Sequence, residues 1–256
     1  MPGCKYLYMS IRFVVVACAL FVVANPAMSA EIKVMASPAA VSALKEVVPQ
    51  FERTTGHKVT LDFAVIAALK RKVAAGEAFD ILIPSPELID DLVSQGKIAP
   101  DTRASFGRTG IALAVRKGAP KPDISTSENF KRAMLATKAV GHSKEGQSGV
   151  HFRDALNRVG IAEEMRPKLR ALEGNDQLIA LQNGDIDIIA SGMGPIMEMQ
   201  GADFIGGLPP ELQSYVRLSI GVSATSKEPE VARALHRFLM SQTLVPTLKA
   251  RGLERE

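Results

Sequence analysis

The stretch Gly141-His142-Ser143-Lys144-Glu145-Gly146-Gln147-Ser148-Gly149-Val150-His151-Phe152 holds the residue types best suited to gripping an anion. Ala139-Val140 before it reads as the end of a buried strand. After it, Phe152, Ala155, Leu156 and Val159 recur at helical spacing, so a helix is expected to begin near Ser148. A strand, a Gly/Ser loop and a helix amino-terminus together make an anion site. The first helical turn has unpaired N–H groups, the macrodipole is positive there, and glycine lets a ligand approach the backbone. Ser148 adds a hydroxyl and Lys144 a compact charge. Two readings of the same residues stay open: a binding loop, or a turn in which Ser148 merely caps the helix and Gly146 shapes the bend. His151, in the first turn, offers a group that titrates near neutrality, as a donor, an acid/base or simply a wall.

The flanking elements follow an alternating rhythm. Glu31–Ala36 reads as a strand, then comes a helix with Val41, Leu44, Val48 and Phe51 on one face, with a kink or break expected at Pro49. Lys58–Phe63 is a second strand, a helix carrying Leu69 and Val73 closes at Gly76, Phe79–Ile83 is a third strand, and Pro86–Gln95 is a helix. This β-α-β-α-β-α order implies a mostly parallel sheet covered by helices. Beyond Thr109 a second unit begins with a strand at Ile111–Val115, followed by the helix Ser127–Ala136 and the strand Lys138–Gly141 leading into the Gly/Ser loop. Asp176–Asn183 is a helix whose start at Gly174-Asn175 is another good amino-terminus. Ile186–Ala190 is a strand that ends at Ser191-Gly192, Tyr215–Ala224 is one more, and Pro229–Met240 and Leu244–Ala250 are closing helices. Ligands of open α/β sheets gather at the carboxyl ends of strands and at domain interfaces.

Composition removes several alternatives. Residues 1–30 carry Lys5 and Arg12, a short apolar run from Phe13 to Val23, and small residues at Ala27, Ser29 and Ala30. That is the pattern of a removable secretory signal, with cleavage expected after Ser29 or Ala30, and the run is too short for a membrane span. Both cysteines, Cys4 and Cys18, fall within it, so the mature chain has no disulfide, thiolate metal site or cysteine nucleophile. Loss of Lys5 and Arg12 leaves 29 basic against 27 acidic residues, a net charge of +2. With basic and acidic residues interspersed and no tryptophan, there is no nucleic-acid footprint. The histidines lack metal-ligand spacing, no nucleophile elbow occurs, and no cofactor motif is present. Met193, Met197 and Met199 read as packing residues, and Asp185 and Asp187 as an exposed strand edge.

From Glu31 onward the chain resembles the type II periplasmic solute-binding proteins, close to their molybdate-binding branch, which also includes aconitate isomerase. The resemblance rests on Phe51-Glu52-Arg53-Thr54-Thr55-Gly56, Ala75-Gly76-Glu77-Ala78-Phe79-Asp80, Val115 to Ile124, Ser143 to Val150, and Gly207-Leu208-Pro209-Pro210-Glu211-Leu212. It implies a two-lobed α/β fold, each lobe a mostly parallel sheet flanked by helices. Residues 31–110 and 221–256 would form lobe one and 111–220 lobe two, with crossings near Thr109–Leu113 and Ser219–Val222. It further implies a monomer that closes on its ligand and hands it to an ABC-type membrane permease.

Departures from that branch bear on the ligand. Its members hold a tetrahedral oxyanion with hydroxyls and amides from the loops after the first two strands. Here Ala39 occupies the hydroxyl position, with Ser37 two residues earlier, and Ala64-Val65-Ile66-Ala67 replaces a serine run. Ser191-Gly192-Met193 stands where a tyrosine is expected. An apolar first lobe facing a Ser/Lys/Gly loop suits a small organic carboxylate better than molybdate. The expected ligand shell is Ser143, Lys144, Ser148, Gly149 and Val150. Ser37, Ala39, Asn175, Ser191 and Gly192 are weaker members, and Arg108 is a candidate counter-charge or a solvated loop residue. The alternative is an aconitate-isomerase-like enzyme, with His151 or Lys144 as the base.

Overall fold

The computed structural model describes residues 29–256. The expected signal segment, with Cys4 and Cys18, lies outside the described residues apart from Ser29 and Ala30. Nine strands form one continuous sheet: β1 (Glu31–Ala36), β2 (Lys58–Phe63), β3 (Ile81–Ile83), β4 (Ala104–Arg116), β5 (Val140–His142), β6 (Leu169–Ala171), β7 (Ile188–Gly192), β8 (Ala202–Gly207) and β9 (Tyr215–Val222). Their order is β2-β1-β3-β9-β4-β7-β5-β6, with β8 also on β4. β1 runs parallel to β2 and β3, and β5 parallel to β6 and β7. Each parallel set is the product of strand–helix–strand units. β4 and β9 are antiparallel to each other and join the two sets.

Both segments expected as crossings lie in that pair. β4 pairs with β9 over Ala104–Gly110, then changes partner to β7 and β8 from Ile111 onward. β9 meets β4 from Tyr215 to Ile220, and Gly221 and Val222 pair with β3.

The period-two alternation of buried strands sorts the core into layers. Ile32, Val34 and Ala36 of β1 pack with Leu44, Val47 and Phe51 of the helix Val41–Thr55. Met35, between them, faces the other way and packs with Leu69, Leu82 and Ile89. The helix Gln147–Arg158 is anchored by Phe152, fully buried and edge-on to Phe130. Such a side chain contributes roughly 2–3 kcal/mol by leaving water.

Several expectations are revised. The helix Val41–Thr55 runs without a break through Pro49. The short strands β6 and β8 and the helix Met193–Glu198 are additions to the expected order, too short to carry a periodic signal. Asp185 and Asp187 precede β7 instead of lying on it. Asp187 accepts the Lys138 N–H at 2.6 Å and the Thr137 hydroxyl at 3.1 Å, fixing the approach to β5. Among the described residues no helix is long and apolar enough to cross a membrane, and no cluster of three His, Cys, Asp or Glu is placed to hold a metal.

Candidate ligand-binding site

A cavity of about 260 Å³ opens at the carboxyl ends of β1, β2, β5, β6 and β7. One wall comes from the turns after β1 and β2: Ser37, Pro38 and Ala39, then Phe63, Ala64, Val65 and Ile66. The facing wall comes from three turns: Ser143, Gly146, Gln147 and Ser148 after β5; Glu173, Gly174 and Gln177 after β6; and Ser191 and Gly192 at the end of β7. The first wall is apolar apart from Ser37, and the second is largely hydroxyl, amide and glycine.

The turn after β5 is built from within. Gly146, in extended conformation, is the N-cap of the helix, so Ser148 sits inside the first turn and does not cap it. The Ser143 hydroxyl does the capping work instead: Oγ accepts the Gly146 N–H at 2.8 Å and donates to the Glu173 carboxylate at 2.9 Å. That carboxylate also accepts the Glu145 N–H at 2.7 Å. Gly149 lies so close to the preceding strand end that a Cβ there would fall 1.9 Å from the Ser143 carbonyl oxygen. Glycine is therefore required by backbone packing. Behind the turn, the buried His142 Nδ1–H donates to the same carbonyl at 2.9 Å, with Arg153 3.2 Å from the ring nitrogen.

Anion-binding capacity resides in groups left over once these bonds are made. The N–H groups of Gly149 and Val150 point back to the Gly146 carbonyl, whereas those of Gln147 and Ser148 have no partner among the described residues. The Ser37 hydroxyl accepts the Ala39 N–H at 3.3 Å and keeps its own proton uncommitted. The hydroxyls of Ser148 and Ser191 form no hydrogen bond within the described residues. Three helices of eight residues or more begin at the cavity: Ile66–Ala74, with Val65 as an N-cap lacking any side-chain bond; Gln147–Arg158; and Asp176–Asn183. No Lys, Arg or His lines it, and Glu173 is its one carboxylate. The positive field at the cavity thus comes from helix ends.

Of the residues expected from sequence, Ser37, Ala39, Ser143, Ser148, Ser191 and Gly192 line this one cavity. Lys144, Val150 and Asn175 are exposed and do not line it, and Gly149 is buried behind the turn. His151 is half-buried outside the lining, and burial holds its pKa below the usual histidine value. Burial does the same to His142, partly offset by its bond to the Ser143 carbonyl. Arg108 lies 3.4 Å from the Glu254 carboxylate, 3.7 Å from Glu256, and stacks over Tyr215 at 4.1 Å, so it ties β4 to β9 and the chain end. Glu173, Gln177 and Gln147 also line the cavity, beyond the shell expected from sequence. β6 is three residues long with a charged centre, so nothing marked Glu173 as following a strand. The Gly174-Asn175 helix start two residues on was the available signal.

Comparison with known proteins places this geometry. The chain is 28% identical over 248 residues to an aconitate isomerase of a Pseudomonas species, covering 92% of this chain and 94% of that protein. It is 26% identical over 167 residues to the molybdate-binding protein ModA of Escherichia coli, covering 63% and 65% of the two chains. The structure of the periplasmic molybdate-binding protein of Azotobacter vinelandii superposes with a TM-score of 0.74 at 14% identity, over 88% of this chain and 99% of the other. At that identity the likeness establishes the fold, a central sheet flanked by helices as in periplasmic binding proteins. The sequence model for bacterial extracellular solute-binding proteins matches residues 32–254. Both walls of the cavity and the strands between them lie inside that match, and the chain belongs to the bacterial extracellular solute-binding protein family.

Proposed function

We propose that the protein captures a small organic anion in this cavity, in the periplasm, and delivers it to an ABC-type membrane permease. The observation that carries the reading is the convergence of three helix amino-termini and three uncommitted serine hydroxyls on one cavity without a cation. Oriented dipoles and hydroxyls receive an anion with little rearrangement, and they avoid the desolvation of a buried lysine. The wall of Phe63, Val65 and Ile66 accommodates a carbon body. Residues 31–110 with 221–256 act as one lobe and 111–220 as the other, a monomer closing about β4 and β9. Titration calorimetry of the purified protein with small di- and tricarboxylates tests this. Binding that weakens on Ser37→Ala and Ser148→Ala supports it, and binding indifferent to both sinks the site assignment.

The 28% identity to an aconitate isomerase over nearly the whole chain favours one further reading, an isomerase on the same scaffold. Lys144 and His151 lie outside the cavity lining, so Glu173, its one ionisable lining residue, is the candidate base in that case. Proton NMR of the protein with cis-aconitate separates the two. Growth of trans-aconitate signals, abolished by Glu173→Gln, makes the protein an enzyme, and line broadening without conversion makes it a receptor.

A further inference from the structure

Gln177 has only one exposed part in thirty, yet its side-chain oxygen has no hydrogen-bond partner. The amide orientation is fixed by chemistry, because Nε2 donates to the Leu172 carbonyl at 3.0 Å and a flipped amide would set two oxygens face to face. The orphan atom is therefore an acceptor on a residue that lines the cavity; it has almost no exposed surface of its own, so a ligand's donor reaches it only as the wall side chains shift. Glu173, four residues before it on the same wall, is a second acceptor. Its Oε1 takes the Glu145 N–H and shares the Ser143 proton with Oε2, which leaves lone pairs on Oε2. A fully deprotonated oxyanion meets both groups with oxygen against oxygen. The cavity is thus polarised, with free donors at Ser37, Gln147, Ser148 and Ser191 and surplus acceptors on the residues Glu173 and Gln177.

Building on the anion-binding reading above, we propose that the ligand is an anion that also carries an O–H donor, received by Gln177 Oε1 and the Glu173 carboxylate. The donor is the alcohol of a hydroxy acid or the retained proton of an oxyacid. A buried acceptor left unmet costs enough to give discrimination of about 10–100-fold against a ligand lacking the donor.

The test is calorimetric titration of the full chain with matched pairs differing in that donor: malate against succinate, citrate against propane-1,2,3-tricarboxylate, and hydrogen phosphate against molybdate. A preference of at least about tenfold for the donor-bearing member of a pair supports the inference. The organic pairs identify an alcohol as its source, and the inorganic pair an acid proton. Equal affinities in every pair, or preference for the donor-free members, overturn it while leaving anion capture standing. If none of the probes binds, anion capture falls and this inference with it. In the preferred pair, Glu173→Gln and Gln177→Met should each shrink the ratio to within about twofold. A ratio unchanged in Glu173→Gln overturns the assignment even if Gln177→Met fails to fold.

Discussion

The turns after β1 and β5 use the same device, a buried serine just beyond a strand whose Oγ accepts an N–H two or three residues on, with opposite consequences for a ligand. Ser37 caps Ala39 and keeps its hydroxyl proton. Ser143 caps Gly146 and gives its proton to Glu173. A hydroxyl donates once, so the first serine is able to reach an incoming anion and the second is occupied with architecture. Both serines line the cavity, and only the hydrogen-bond inventory separates the one with a free proton from the one that builds the turn.

The largest expected effect tests the closeness of the β5 turn. Gly149→Ala drives a Cβ into the Ser143 carbonyl, and the backbone on both sides must shift. We expect a loss of about 3 kcal/mol or more in urea unfolding, with binding abolished. The β1 turn already carries Cβ atoms at Pro38, Ala39 and Ala40 and offers no counterpart.

Next come the serines. Ser37→Ala should weaken anion binding about tenfold with stability changed by under about 1 kcal/mol. Ser143→Ala should lower stability by about 1–2 kcal/mol, since Glu173 and the Gly146 N–H both lose a partner. Equal stability losses in the two variants would erase the contrast.

pH acts on one turn and spares the other. Burial depresses His142, which donates to the Ser143 carbonyl, below the ordinary value of 6.5. The unfolded chain takes up that proton first on acidification, so the contribution is fully present above about pH 6.5 and is lost as pH falls toward the depressed value. His151 and His236, likewise depressed by burial, add to the same trend. Thermal melts should show a falling melting temperature below about pH 6.5, with a shallower fall in His142→Gln. An unchanged slope removes His142 from the account.

The smallest effects come from two cations that sequence put forward. Lys144→Ala should change anion affinity less than about twofold, because the side chain stands in solvent outside the cavity. Arg108→Ala should leave affinity equally unmoved and cost about 1 kcal/mol through Glu254 and Tyr215.

Much of the fold was legible because apolar residues repeat at clean periods. Glu31–Ala36, Lys58–Phe63, Ser127–Ala136 and Asp176–Asn183 fall where the pattern puts them. Short elements have too few repeats to show a period, which hid β6, β8 and the helix Met193–Glu198. At the site, sequence supplied the turns and missed the bonding. That Ser148 lies inside the helix, that Gly149 serves packing, and that Lys144 points away all depend on one residue of register at Gly146. Glu173 and Gln177 reach the cavity through the order of β5 and β6 in the sheet, a fact no local window contains.

The tail of the chain is stitched to β4. Arg108 and Glu254 exchange N–H to carbonyl bonds at 2.7 and 2.8 Å, Gly107 leaves room where a Cβ would fall 2.5 Å from the Glu254 carbonyl oxygen, and Arg255 donates to the Phe106 carbonyl. β4 is the strand that both sheet halves share. Handling follows from this: a purification tag or immobilising linker fused at Glu256 pulls on the strand that joins the two halves of the sheet, whereas one attached ahead of Glu31 leaves it alone. A biosensor built from this protein should be tethered by its amino end.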